Sequence, residues 1–110
     1  MGNAYAKGMD QIDNVYGGTS KIAVAQRLTL TREFLGLKQK EVGARAGITA
    51  SAYNHIEAAT SYPSVETAMR LARAFRLTLD WIYMGDPSGL PYEMADGIYK
   101  SHSSRTKLIG

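Results

Sequence analysis

Apolar residues recur every three or four positions along most of the chain, and this spacing predicts helices rather than strands. The first helix is predicted over 20–35, with Val24, Leu28, Thr31 and Leu35 on its buried face and Gly36 as its stop. Two short helices are predicted at 39–46 and 50–58. No strand-like alternation of apolar and polar residues is present, so the predicted fold class is all-α.

The second and third predicted helices have the spacing of a pair that shares one core. Val42 and Ala46 stand four residues apart on the second helix, and Tyr53 and Ile56 stand three apart on the third. Both pairs therefore lie on single helix faces that can pack together. The pattern is typical of a helix-turn-helix in which one helix is buried and the other is presented.

Two glycines and a threonine define the turn between these helices. Gly43 stands where two steeply crossing helices come closest, and Gly47 stands where a left-handed residue ends the second helix. Thr49 then caps the third helix. The residues left facing outward are short and mostly polar, as major-groove contact requires. They are Thr49, Ala50, Ser51, Asn54 and His55, and they are the candidates for reading DNA bases; the alternative is an ordinary solvated face.

The remaining helices follow the same cues. A fourth helix is predicted after Pro63 with Ser64 as its cap, and a fifth is predicted from Thr78 to Gly85. Pro91 can open a short sixth helix toward residue 98, and the tail from residue 101 is expected to be disordered. Residues 1–18 are interpreted as a mobile arm or a short extra helix.

These elements predict a compact five-helix bundle with a short sixth helix and flexible termini. The expected organisation is an N-terminal arm at 1–19, a helix-turn-helix domain at 20–86, and an extension and tail at 87–110. A chain of 110 residues suits one such domain with flanks.

Composition narrows the function classes. No run of 18 apolar residues and no hydrophobic N-terminal segment is present, so neither a membrane span nor a signal peptide is expected. The chain has no cysteine, which excludes disulfides and thiolate metal sites. A reducing, cytoplasmic setting is the simplest interpretation, although other compartments are compatible with it. His55 and His102 are the only imidazoles, and nothing resembles a nucleophile paired with a base. We therefore expect no metal, no cofactor and no enzymatic activity.

Charge is concentrated in the middle of the chain. Residues 20–76 hold nine Lys or Arg against four Glu, giving +5, whereas 1–19 and 77–110 each sum to −1. Double-stranded DNA carries about one negative charge per 1.7 Å of its axis, so it is a natural partner for this segment. A solvated helix surface would carry the same charges.

Over roughly 24–86 the chain resembles the Cro and phage-repressor (XRE-type) helix-turn-helix regulators. Five segments carry the resemblance, in order: Arg32-Glu33 with Gly36-Leu37; the helix-turn-helix from Gln39 to Ala58; Pro63-Ser64-Val65-Glu66-Thr67; Leu71-Ala72-Arg73-Ala74-Phe75; and Leu79-Asp80-Trp81-Ile82. The resemblance implies a sequence-specific double-stranded DNA-binding regulator, a repressor, that reads the major groove with its third helix. It also implies an ion pair between Arg32 and Glu57 that fastens the first and third helices.

Phosphate contacts are expected from the same resemblance. Gln39 begins the second helix, where a side-chain amide and free backbone N–H groups can hold a phosphate. Lys38 stands at a cap position that usually carries Ser or Thr, and a nearby phosphate would offset this misplaced cation. Arg27, Arg45, Ser61 and Tyr62 are further candidates. The family often has Gly where Ala59 stands, basic residues where Thr60 and Ser61 stand, and an aliphatic residue where Thr31 stands.

A homodimer on a palindromic operator is expected, because a two-fold dimer would place two recognition helices about one DNA turn apart. The candidate contact residues are Trp81, Ile82 and Tyr83, whose counterparts in the family commonly lie near a dimer interface, with Leu30 and Phe34 on a second apolar face of the first helix. The alternative is that Trp81, Ile82 and Tyr83 complete the core of the monomer. The alternative function is a protein-interaction module that keeps this fold without binding DNA, such as an antitoxin or anti-regulator. The missing basic residues near Thr60 are the feature that favours it.

Overall fold

The computed structural model describes residues 15–109. Within this range the chain is helical apart from its connecting turns, and no strand occurs there. The six helices are α1 (Lys21–Leu35), α2 (Gln39–Ala46), α3 (Ala50–Glu57), α4 (Val65–Phe75), α5 (Asp80–Met84) and α6 (Tyr92–Ile109), with a single 3₁₀ turn at Pro87–Gly89 between the last two. The helix α5 has the wider π-helical geometry. The all-α prediction is confirmed.

Short hydroxyl side chains begin α1 and α4. The side chain of Ser20 accepts a hydrogen bond from the backbone N–H of Ala23 at 3.0 Å, and Ser64 accepts one from Thr67 at 3.1 Å. Each bond satisfies a backbone donor that has no partner within its helix. At the other end of α1, Gly36 takes the left-handed conformation, with φ of 72°. These local signals fix where α1 and α4 lie along the chain.

The core forms around α1, which packs against α3, α5 and α6. Val24 and Leu28 of α1 are buried, and Leu71 of α4 is 1% exposed. Thr31 is also buried, and its hydroxyl makes two hydrogen bonds, one to the carbonyl of Arg27 and one from the indole of Trp81. The apolar stripe predicted for the first helix is therefore largely present.

Three of the five predicted dimer residues lie inside the monomer, so that part of the prediction is wrong. Trp81 and Ile82 are 0% exposed and Leu30 is 3% exposed. The physical reason is the packing of α1, which lies against α6 on one side and against α5, with Trp81 and Ile82, on another. A Cβ added at Gly97 of α6 would overlap the ring of Phe34, so α1 and α6 are in close contact there.

The C-terminal extension differs from its prediction in length. The sixth helix runs from Tyr92 to Ile109, and the backbone from residue 101 onward continues it instead of being disordered. Met94 and Ile98 are buried in the shared core, so the first half of α6 is held by packing. Of the predicted N-terminal arm, residues 1–14 lie outside the described range, and Val15 is buried at 2% exposure.

Candidate nucleic-acid interface

The turn between α2 and α3 has the close approach that Gly43 predicts. A Cβ at Gly43 would lie 2.6 Å from the carbonyl oxygen of Ile48, so a side chain there would force the helices apart. The backbone N–H of Ile48 donates to the carbonyl of Gly43 at 2.8 Å, and Gly47 adopts φ of 76°. Residues 39–57 therefore form a helix-turn-helix.

The helix α3 has one buried and one exposed face. Tyr53 is 1% exposed and Ile56 is 3% exposed, as their spacing predicts. The outward face of α3, by which we mean Thr49, Ala50, Ser51, Asn54 and His55, is exposed. The structure thus brings all five candidate base-reading residues to one surface.

Three residues of this outward face are already held by internal hydrogen bonds: Thr49, His55 and, through Gln39, Asn54. The hydroxyl of Thr49 accepts from the backbone N–H of Ala52 at 3.0 Å, so Thr49 caps α3 as predicted. The Nδ1 atom of His55 lies 3.2 Å from the hydroxyl oxygen of Thr60, which also donates to the His55 carbonyl at 2.9 Å. Thr60 was not among the predicted site residues; a hydroxyl just past the end of a helix is the signal that could have indicated it.

An ion pair between Arg32 and Glu57 joins α1 to the last residue of α3. The Nε atom of Arg32 is 2.8 Å from Oε2 of Glu57, and its Nη2 atom is 3.1 Å from Oε1, which gives the two-point geometry typical of arginine and carboxylate. The Glu57 side chain is 5% exposed and that of Arg32 is 18% exposed. The expected fastening of α1 to α3 is therefore observed.

Glu57 is the common acceptor of several donors. Burial alone would raise its pKa, but hydrogen bonds from Arg32, Tyr53 and Gln39 outweigh that effect and hold the pKa below its usual value. Burial raises the pKa of Tyr53, and its hydrogen bond to Glu57 adds to the increase. At neutral pH the Glu57 side chain is therefore a carboxylate surrounded by hydrogen-bond donors.

Gln39 connects this buried carboxylate to the outward face of α3. Its Nε2 atom donates to Oε1 of Glu57 at 3.0 Å, and its Oε1 atom accepts from Nδ2 of Asn54 at 3.0 Å. A Gln amide has two N–H groups, so one N–H of Gln39 is left after these bonds. Sequence spacing alone does not reveal the bond between Gln39 and Asn54, because these residues are 15 positions apart and belong to different helices.

The other phosphate candidates divide into exposed and buried residues. Lys38, Arg45, Ser61 and Tyr62 are exposed. The misplaced cap at Lys38 is partly compensated, since its backbone N–H donates to the Glu41 side chain at 2.7 Å.

Tyr62 is placed by a contact that the sequence did not indicate. Its hydroxyl donates to the carbonyl of Thr19 at 2.9 Å, and the ammonium of Lys21 lies 5.8 Å from the centre of its ring. Lys21 therefore adds a cation next to a candidate phosphate contact.

Arg27 is not available to a phosphate, so that prediction is wrong. Its side chain is 0% exposed and its guanidinium donates to three carbonyls, those of Val15 at 2.6 Å, Gly18 at 2.9 Å and Ile82 at 3.0 Å. Its carbon Cζ lies 5.7 Å from the centre of the Trp81 ring. Burial lowers the pKa of Arg27 to about 10. Its role in the fold is to tie the N-terminal segment to α5.

The loop that follows α3 departs from the common family pattern in its sequence, because Ala59 stands where glycine is usual. Ala59 has φ of 63°, a left-handed conformation that favours glycine. Arg76, which ends α4, has φ of 60° and is the other residue besides glycine with a positive φ in the described range. The structure therefore keeps the expected turn even though Ala replaces Gly.

None of the helices in the described range is both long and apolar enough to cross a membrane. Among these same residues, no group of three or more His, Cys, Asp or Glu side chains is placed to hold a metal ion.

The fold and this surface define an all-α helix-turn-helix protein. Its exposed helix carries short polar side chains, and a partly buried pair of Arg32 and Glu57 fastens that helix to α1. The chain belongs to the Cro/C1-type (XRE) helix-turn-helix family: the family model described as Helix-turn-helix matches residues 28–82, half of the chain. This is a family of DNA-binding regulators that are generally not enzymes. No curated protein and no solved structure matches the chain significantly.

Proposed function

We propose that this protein is a sequence-specific double-stranded DNA-binding repressor of transcription that reads the major groove with α3. The observation that carries the proposal is the outward face of α3, where Ser51, Asn54 and His55 are exposed while the intervening Tyr53 is buried. Short hydrogen-bonding side chains on one exposed helix face are what base-edge contact in the major groove requires. Repression would follow when the bound site overlaps the sequence that polymerase needs.

Contacts to the phosphate backbone would orient α3 in the groove. Gln39 keeps one amide N–H for a phosphate, and Lys38 and Arg45 add exposed cations on the neighbouring helix. Ser61 and Tyr62 would contact DNA phosphates on the other side of α3. The net charge of +5 over residues 20–76 supports this arrangement, because phosphate contacts supply most of the sequence-independent binding energy.

The homodimer and its palindromic operator remain part of the proposal, with a changed contact surface. Of the original candidates, Phe34 is 40% exposed and Tyr83 is half-buried. Tyr92 is 80% exposed and Tyr99 is 59% exposed, and they lie seven residues apart on one side of α6. A cytoplasmic location is part of the proposal, because the protein must share a compartment with its operator.

Selection from a pool of random duplexes tests this function most directly. We expect the bound sequences to share a motif, and two copies of the motif in opposite orientation if the protein binds as a dimer. Affinity for the selected duplex should fall as salt rises, with a slope set by the number of phosphates contacted. Sedimentation velocity, with and without this duplex, would report the oligomeric state.

The alternative is an interaction module that has kept the fold and lost DNA binding. Thr60 and Ser61 in the loop after α3 favour it, because basic residues would bind phosphate there more strongly. Such a protein would show neither an enriched motif nor salt-dependent retention on DNA. The absence of an enriched motif, or of salt-dependent binding to DNA, would therefore contradict the proposed role as a DNA-binding regulator.

A further inference from the structure

A chain of directional hydrogen bonds runs from α1 to the outward face of α3. It begins at Arg32, passes through Glu57 and Gln39, and ends at the exposed amide of Asn54. The heavy-atom distances along it are 2.8 Å, 3.0 Å and 3.0 Å. All of these bonds are therefore within the usual range.

The direction of each bond is fixed by chemistry. A guanidinium can only donate and a carboxylate can only accept, so the atom of Gln39 that faces Glu57 must be its amide nitrogen. The amide oxygen of Gln39 then faces Asn54, and the atom of Asn54 that meets it must also be nitrogen. Since an amide can otherwise be turned by 180° with little change in shape, this network selects one of the two orientations.

The selected orientation leaves a defined pair of groups on Asn54. One N–H is bonded to Gln39, so the amide oxygen and the second N–H remain available on an exposed side chain. An acceptor next to a donor matches adenine, whose major-groove edge offers the N6 amino group and the N7 acceptor. Guanine offers two acceptors there, N7 and O6, and would need two donors.

We propose that Gln39 is a positioning residue that sets the donor and acceptor direction of Asn54, and that the base read by Asn54 is adenine. This inference rests on the proposed function, because it needs α3 to lie in a major groove. It goes further by naming the base and the residues that determine it. Gln39 acts here through Asn54, in addition to any phosphate contact of its own.

Two substitutions of Gln39 give opposite expectations. Gln39→Met keeps a similar shape and removes both polar groups, so Asn54 is free to turn and its preference among bases should weaken. Gln39→Lys places a donor beside both neighbours, since its ammonium can donate to Glu57 and to the oxygen of Asn54. Asn54 would then turn its two N–H groups toward the base, and the preferred base should change from adenine to guanine.

The measurement uses the duplex selected from the random pool by the wild type. Asn54→Ala first identifies the base pair whose preference depends on Asn54. Duplexes that differ only at this pair are then compared, so that changes in overall charge cancel within each variant. We expect the wild type to favour adenine by roughly 5- to 100-fold, the discrimination typical of a two-point contact. Gln39→Met should reduce this to about twofold or less, and Gln39→Lys should reverse it.

Lys38→Met is the matched control, because it alters the adjacent residue and leaves the amide chain intact. It should weaken binding to all of these duplexes equally and leave the adenine preference unchanged. Retention of the wild-type preference in both Gln39 variants would overturn the proposal. A base other than adenine at the position identified by Asn54→Ala would also overturn it.

An NMR measurement separates failure of this inference from failure of the proposed function. In the free wild-type protein, one side-chain amide proton of Asn54 should exchange more slowly than in Gln39→Met. Equal exchange in the two proteins contradicts the hydrogen-bonded chain whether or not DNA binds. Slow exchange together with no enriched motif would contradict the proposed function and the base assignment, and would leave the chain as a purely structural feature.

Discussion

The indole N–H of Trp81 donates a hydrogen bond to the hydroxyl oxygen of Thr31 at 3.0 Å, and both residues are buried. The same hydroxyl donates to the carbonyl of Arg27 at 2.7 Å, so Thr31 is satisfied in both directions. A buried indole N–H needs an acceptor, and an aliphatic residue at position 31 could not supply one. Thr31 and Trp81 therefore complement each other across α1 and α5.

Thr31→Val should lower the free energy of unfolding by about 1–3 kcal/mol, because it keeps the shape of the side chain and leaves the indole N–H of Trp81 without an acceptor. Urea denaturation followed by tryptophan fluorescence measures this change. Thr31→Ser is the control, since it retains the hydroxyl and should preserve more of the stability. A Thr31→Val protein as stable as the wild type would show that the bond contributes nothing.

Glu57→Gln should flatten the dependence of stability on pH in acid. The pKa of Glu57 is lowered in the folded protein from an ordinary value of 4.5, so its stabilising contribution is present above pH 4.5 and is lost as pH falls through the folded-state pKa. The variant lacks this titration, and at pH 7 it should be less stable by about 3 kcal/mol, because Arg32 loses its ionised partner.

Urea denaturation of both proteins at several pH values between about 2.5 and 7 tests this difference, over the range where carboxylates titrate. Glu66→Gln is the matched control, since its ion pair with Arg70 is exposed on the surface of α4. That change should alter stability by less than about 1 kcal/mol. Parallel pH profiles for the wild type and Glu57→Gln would contradict the role given to the buried pair.

Ala59→Gly should stabilise the protein by about 0.5–1 kcal/mol. Ala59 has φ of 63°, where a Cβ is unfavourable, and glycine removes that strain at some expense in chain entropy. Ala58→Gly is the paired control, because Ala58 has φ of −81° and gains nothing from glycine. Thermal unfolding should show opposite shifts for these neighbouring substitutions, and two shifts of the same sign would count against the argument.

Arg27→Leu should destabilise the protein by about 2–4 kcal/mol, because three carbonyls lose charge-assisted hydrogen bonds inside the fold. The salt dependence of DNA binding should stay unchanged under conditions where the variant is folded, since Arg27 is buried. Arg45→Leu changes an exposed arginine and should lower the salt slope by roughly one if Arg45 contacts a phosphate. A weaker salt dependence of DNA binding for Arg27→Leu would indicate that Arg27 contacts DNA after all.

Asn54→Ala and Lys38→Ala should weaken DNA binding in different ways. Loss of Asn54 should cost about 1–3 kcal/mol on the selected duplex and relax preference at one base pair, with little effect on random DNA. Loss of Lys38 should weaken binding to all sequences and lower the salt slope by roughly one. Fluorescence anisotropy with both duplexes at several salt concentrations distinguishes these patterns, and equal losses for Asn54→Ala on both would show that it does not read a base.

Local signals made the helix-turn-helix predictable from the sequence. The spacing of Tyr53 and Ile56 determines which face of α3 is buried, and Gly47 and Thr49 determine where one helix ends and the next begins. These features depend on residues a few positions apart. The pair of Arg32 and Glu57 is more distant in sequence, and it was the family resemblance that indicated it.

Long-range packing explains what the sequence did not predict. Arginine is seldom buried, and the carbonyls that make Arg27 an exception belong to a turn and to a helix 55 residues away. The polar run after residue 100 has few apolar residues to indicate a helix, yet α6 continues through it from a first half held by Met94 and Ile98. Tryptophan is a residue type common at contact surfaces, but Trp81 is enclosed by α1, where its indole N–H meets Thr31.

The three carbonyl bonds of Arg27 also determine how far the chain can be shortened. They join a turn before α1 to the end of α5, and α6 covers Leu30 on the opposite flank of the family match at 28–82. A fragment limited to 20–86 would lack two of the three acceptors and the whole of α6. We therefore expect a fragment limited to 20–86 to be less stable than one that also keeps Val15 and the first turns of α6.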